Sequence, residues 1–178
     1  GRGQMAAVQV FHQAGQVVHA GGKGPLDRVA ELPVGIFLST QPSTAHAMVH
    51  DVVEILLEEG WDPEHVALIT TGKRHPVQAE RQENDGQDGY WASFWDGDDV
   101  FYGHVLGAKG MERRAVVLCI NESGHTDRFR ERLYVGLSRA TDRLVVVGDL
   151  DVIRLAGEEV ARALADAGSI SGETQGAS

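Results

Sequence analysis

Two short stretches of this chain gather the side chains that phosphate chemistry needs. One is Gly107-Ala-Lys-Gly-Met-Glu112, and the other is Glu131-Arg-Leu-Tyr-Val-Gly-Leu-Ser-Arg-Ala140. A guanidinium is permanently charged and presents a planar fork suited to phosphate oxygens. Arg139 is therefore suited to meet charge that develops on a transferred phosphoryl group, as an arginine finger does. Helical spacing places Leu133, Leu137 and Ala140 on one face, with Arg132, Gly136 and Arg139 on another. Gly136 would then leave room beside Arg139 for an anion or a neighbouring domain. The plainer alternative is a surface arginine paired with Glu131 or Asp142, and for Glu112 a salt bridge to Arg113 or Arg114.

The elements that must position these residues are apolar runs separated by helical or turn-rich stretches. Val34–Thr40, His65–Thr71, Asp99–Val105, Ala115–Ile120 and Arg143–Asp149 read as strands. Between the first two, Ala45, Met48, Val49, Val52, Val53, Leu56 and Leu57 predict a helix over Thr44–Glu59, capped by Ser43 or Thr44 and ended by Gly60. A further helix follows Asp151 and ends near Ala167. Such alternation predicts an α/β fold, a parallel sheet of about five strands with helices on both faces. Residues 31–168 form the expected domain. Residues 1–30 are expected to be a linker or partial element, with short strands at Ala6–Phe11 and Gln16–His19 and a joint at Gly21–Pro25. Residues 169–178 read as a disordered tail.

The two motifs resemble motifs V and VI of UvrD-like superfamily 1 DNA helicases, usually AKGLE and YVGxTRA or YVAxSRA. Both occur in order, each beside a predicted strand, and weaker matches extend the resemblance over roughly residues 34–150. It implies the C-terminal RecA-like motor domain. Glu112 takes the place of the acid that contacts the nucleotide ribose. Lys109 and Gly110 build the turn beneath it, where glycine permits dihedrals that other residues resist. The residues before them contact the DNA backbone in the family. Here His104 stands at the usual threonine position, Leu106 at the usual histidine and Gly107 at the usual serine. Upstream, Val66–Arg74 resembles the family strand whose end faces single-stranded DNA. Thr70 and Thr71 could bond phosphate there, with Lys73 and Arg74 supplying charge.

The resemblance implies ATP with Mg²⁺, but the phosphate-cradling G-x-x-x-x-G-K-[ST] loop is missing. Gly21-Gly22-Lys23-Gly24 has neither its spacing nor its Ser or Thr. An N-terminal RecA-like domain of the same parent protein is expected to bring that loop and the Mg²⁺ ligands. The chain alone is expected not to hydrolyse ATP, and its start at Gly1 reads as an excised piece. The parent would be an ATP-dependent DNA helicase or translocase acting on single-stranded DNA. The alternative is a RecA-like nucleic-acid or protein binding module without unwinding activity.

Composition sets the remaining bounds. The 178 residues are 42% hydrophobic with net charge −10, which argues against a nucleic-acid binder driven by bulk electrostatics. Residues 109–143 nonetheless hold eight Lys or Arg against five acids, leaving −13 on the remainder. No run is long enough to span a bilayer and no signal-like segment opens the chain, so a cytoplasmic protein is expected. The lone Cys119 reads as a small buried strand residue. His46 and His50 read as helix surface, with no metal site. The aromatic cluster Tyr90–Trp95 is flanked by acids and reads as local packing or a contact with another domain, ahead of base stacking.

Overall fold

A computed structural model describes residues 25–38, 42–125 and 127–171. Helix α1 (Pro25–Glu31) leads into β1 (Val34–Leu38), α2 (Pro42–Glu58), β2 (Val66–Thr70), α3 (Pro76–Asp96) and β3 (Phe101–His104). There follow β4 (Arg113–Cys119), α4 (Phe129–Leu137), β5 (Ala140–Gly148), α5 (Leu150–Arg154), α6 (Glu158–Ala167) and β6 (Gly168–Ser171). The six strands form one sheet in the order β3-β2-β4-β5-β1-β6, and every adjacent pair is parallel. This is the α/β sheet that the apolar runs predict, with β6 added at one edge. The proposed short strands and glycine joint before Pro25 lie outside the described residues, as does the tail after Ser171.

β-branched runs make these strands because both faces are buried. Along β4, Val116 and Leu118 enter one core, while Ala115, Val117 and Cys119 enter the other. In β5, Leu144 and Val146 face the first core, and Val145 and Val147 the second. Helix α2 seals the second core with Val49, Val52, Val53 and Leu56. The first core is closed by Val29 from α1, Leu133 and Leu137 from α4, and Leu164 from α6. Burial of Cys119 pushes its thiol up to about 12, so it behaves as an apolar strand residue.

Two segments depart from the sequence pattern. Ser169–Ser171, part of the expected tail, pair with β1 from Gly35 to Phe37. The aromatic cluster lies on α3, whose helical path breaks at Gly86 (φ 71°). That break and the many acids between Glu80 and Asp88 hide any helical periodicity. Tyr90 and Phe94 pack on Phe101, and the Tyr90 hydroxyl donates to the Tyr102 carbonyl at 2.6 Å. Helix α3 thereby covers the edge strand β3, which would otherwise present open backbone. The cluster is local packing, except for Trp95, which is 71% exposed. Among the described residues, no helix is long and apolar enough to cross a membrane.

Tyr90→Phe removes the donor and leaves the Tyr102 carbonyl covered, so it should lower the unfolding free energy by about 1–2 kcal/mol. Urea denaturation followed by circular dichroism reads this directly. An unchanged midpoint would mean that the bond contributes nothing to holding β3.

Candidate functional site

Parallel strands give the sheet two chemically different edges, and the candidate residues divide between them. Glu112 immediately precedes β4 and Arg139 immediately precedes β5, whose first residues Arg113 and Ala140 are register partners. Both therefore stand at the amino-terminal edge. Thr70 ends β2 and His104 ends β3, so these stand at the carboxyl-terminal edge. Seven residues of β4 separate the edges by ~20 Å.

At the amino-terminal edge, Arg139 lies just beyond the last residue of α4. Its Nε donates to the Val135 carbonyl (3.1 Å), and Nη1 donates to the carbonyls of Ala108 and Met111 (3.2 Å each). Nη2 donates to the Ser138 hydroxyl at 2.9 Å. These four oxygens are neutral, so none of these bonds is an ion pair. The sequence left open a pairing with Asp142, but that carboxylate accepts from Arg114 (2.9 Å) and Thr141 (2.7 Å). Those bonds, with the Thr141 hydroxyl contributing most, hold it below the usual carboxylate range.

Arg139 and Glu112 line one narrow crevice with Ala108, Met111 and Phe94. Glu112 also borders an open cavity of about 240 Å³, together with Glu64, His65, Arg113, Arg114 and Thr141. That volume falls below the roughly 300–1,000 Å³ of pockets that enclose a ligand. Arg113 is pinned beneath it: its guanidinium lies 4.0 Å from the Phe94 ring centre and donates to the Phe94 carbonyl at 2.6 Å. Burial lowers its pKa. Gly110 adopts φ 85°, the left-handed turn expected below Glu112, and Lys109 beside it is exposed.

Gly136 serves a different purpose from the one its spacing implied. It is buried against the sheet, and a Cβ there would stand 2.5 Å from a Leu118 methyl. It brings α4 close to β4 and does not open space for an anion.

At the other edge the exposed groups are Lys73 and Arg74, while the Thr70 and Thr71 hydroxyls are covered and bond nothing. A phosphate outside the edge could not meet those hydroxyls as they stand, which corrects the contact expected of them. Arg74 donates to Gln82 at 3.3 Å. Gly107 is exposed, and a Cβ there would come within 3.1 Å of the Trp91 ring. His104 is a clasp: Nδ1 accepts the Leu106 amide (3.1 Å), leaving Nε2–H to donate to the Gly72 carbonyl (2.7 Å). Burial lowers its pKa, the Gly72 bond opposes that, and the charges of Arg74 and Arg132 reinforce it. A neutral imidazole so engaged holds loops together.

Asn121, just past β4, escaped the sequence pattern. Its Oδ1 accepts the Gly72 amide and its Nδ2 donates to the Lys73 carbonyl, both at 2.8 Å. An isolated asparagine after a strand carries no motif, and only the fold reveals its partners 48 and 49 residues away.

Residues 103–147 match the family model for the UvrD-like helicase C-terminal domain. This segment resembles that domain. It contains Glu112 and Arg139 and spans about a quarter of the 178 residues. Among solved structures, the C-terminal domain of a possible DNA helicase from Lactobacillus plantarum WCFS1 is similar at 19% identity. The match covers 71% of this chain and 82% of that one, with a TM-score of 0.45. No curated protein matches the chain.

Gly136→Ala should destabilise the fold by about 1–3 kcal/mol through overpacking on Leu118. A lowered denaturation midpoint is expected, and an unchanged one would place α4 farther from the sheet. His104 has a folded pKa below its ordinary 6.5, so its contribution is present above that pH and lost as pH falls below it. Stability measured from pH 7.5 to 5 should fall less in His104→Gln than in the wild type. Parallel curves would exclude His104 as a source of the slope.

Proposed function

We propose that this chain is the C-terminal motor half of an ATP-dependent DNA helicase or translocase. The observation that carries this is the convergence of Arg139 and Glu112 on one crevice at the amino-terminal edge of the sheet. A second RecA-like domain, with its own phosphate loop, would press ATP against that edge. Glu112 would hold the ribose, while the turn at Lys109 and Gly110 sets its position. Arg139 would reach the γ-phosphate.

The chemistry follows from the partners that Arg139 has now. Hydrogen bonds from a guanidinium to neutral carbonyls are weaker than those to an anionic phosphate. A γ-phosphate arriving at the edge would therefore draw Arg139 from Ala108 and Met111. Charge on the transferred group grows toward the transition state, so the interaction would strengthen during reaction and accelerate it. The carboxyl-terminal edge would meet a single DNA strand through Lys73, Arg74 and the backbone near Gly107. Among the described residues, no group of three His, Cys, Asp or Glu is placed to hold a metal ion. In the proposed parent, the Mg²⁺ ligands would come from the other domain.

A second reading is favoured by Leu106, which is 75% exposed at the usual histidine position. An apolar side chain there suits a RecA-like binding module that grips a partner without unwinding DNA. A phosphate loop and acidic pair elsewhere in the parent favour the motor.

In the parent ATPase, Arg139→Ala should lower kcat about 10³-fold or more while KM for ATP changes only a few-fold. Steady-state kinetics with a saturating DNA strand reads both values. Equal losses in kcat and in nucleotide binding would exclude the finger role. This chain alone should show no turnover above background.

A further inference from the structure

Helix α4 carries a second arginine whose bonds lead to the opposite edge from Arg139. Arg132 donates through Nη2 to Glu122 Oε1 at 2.6 Å and through Nη1 to the Asp127 carbonyl at 2.7 Å. The two side chains are only 15% and 9% exposed, unlike an ordinary solvated ion pair. Asp127 begins the turn into α4 in which Arg128 takes φ 64°, a conformation that costs energy for a residue with a Cβ. Arg132 therefore fixes the entry of the helix as well as Glu122.

From Glu122 the contacts continue to the exposed cations. A Cβ on Gly72 would stand 2.9 Å from the Glu122 Cβ, so the β2 loop lies directly against this residue. The neighbouring Asn121 holds both the Gly72 amide and the Lys73 carbonyl. Arg132, Glu122, Asn121 and Lys73 thus form a continuous path from α4 to the loop that displays Lys73 and Arg74. Seven residues after Arg132 the chain reaches Arg139, two helical turns or about 10 Å further along.

We propose that the Arg132–Glu122 pair is a strut that fixes the Gly72–Arg74 loop to the helix presenting Arg139, making both residues positioning residues for nucleic-acid grip. This rests on the nucleic-acid half of the proposed function. The strut holds a cationic loop in one shape by means of a buried anion. Removing that anion has opposite consequences for charge and for geometry, which makes the idea testable.

The test measures binding of fluorescent oligothymidylate to the whole chain at fixed salt, with folding checked by circular dichroism. Glu122→Gln makes the protein less negative, so a purely electrostatic role predicts tighter binding. The strut predicts binding weaker by about threefold to tenfold. Arg132→Lys keeps the charge but cannot hold Glu122 and the Asp127 carbonyl with one planar fork, so it should lose part of the same factor. Asn121→Ala cuts the same path without touching the ion pair or the net charge, and should lose a factor like that of Glu122→Gln. It also serves if Glu122→Gln does not fold. Wild-type binding with equal or tighter binding by the folded variants overturns the strut alone. No binding by wild type overturns the nucleic-acid reading on which it stands.

Discussion

The arrangement at the amino-terminal edge depends on one guanidinium meeting the backbone of an otherwise irregular coil. Residues 105–112 leave β3 at one edge of the sheet and must reach β4 at the other. Apart from the Val105 amide, which donates to the Thr70 carbonyl, they make no bond to a strand in the sheet ladder among the described residues, so carbonyls their own turns leave unmet need donors from elsewhere. Arg139 supplies them at Ala108 and Met111, while its Nε caps α4 at Val135. A single side chain thereby locks the coil, the helix end and the start of β5 together. The four oxygens it meets are three backbone carbonyls and one hydroxyl, all neutral.

Two connectors cross the sheet, and each touches both edges. The coil 105–112 begins beside the His104 clasp and ends at Glu112. Helix α4 begins near Arg132 and Glu122 and leads to Arg139. A parallel sheet makes this possible, since every connection must return from one edge to the other. In the proposed function, chemistry at one edge and grip at the other would be linked by rigid elements only a few turns long. Gly136 keeps α4 close to Leu118, so movement of the helix would disturb the core as well as the edges.

Much of the fold was legible because its strands are short β-branched runs with buried residues on both faces. Helix α2 was legible from its apolar stripe. Helix α3 was not, because its acids, Gly86 and Gly89 dilute the period and its aromatics serve packing against β3. The family resemblance placed Glu112 and Arg139 next to strands, and the structure brings them to one crevice. Spacing misjudged Gly136, since three residues on one helical face can still point at a sheet. It also misjudged Thr70 and Thr71, because a strand end looks exposed in sequence when its side chains are covered by neighbours. Asn121 and the Arg132–Glu122 pair depend on contacts between distant segments, which no local pattern encodes.

The most direct measurement is a structure of the parent protein with a non-hydrolysable ATP analogue. The Arg139 guanidinium is expected to have left the Ala108 and Met111 carbonyls and to lie about 2.7–2.9 Å from oxygens of the γ-phosphate. A filled nucleotide site with Arg139 still bound to those two carbonyls, away from the phosphates, would contradict it.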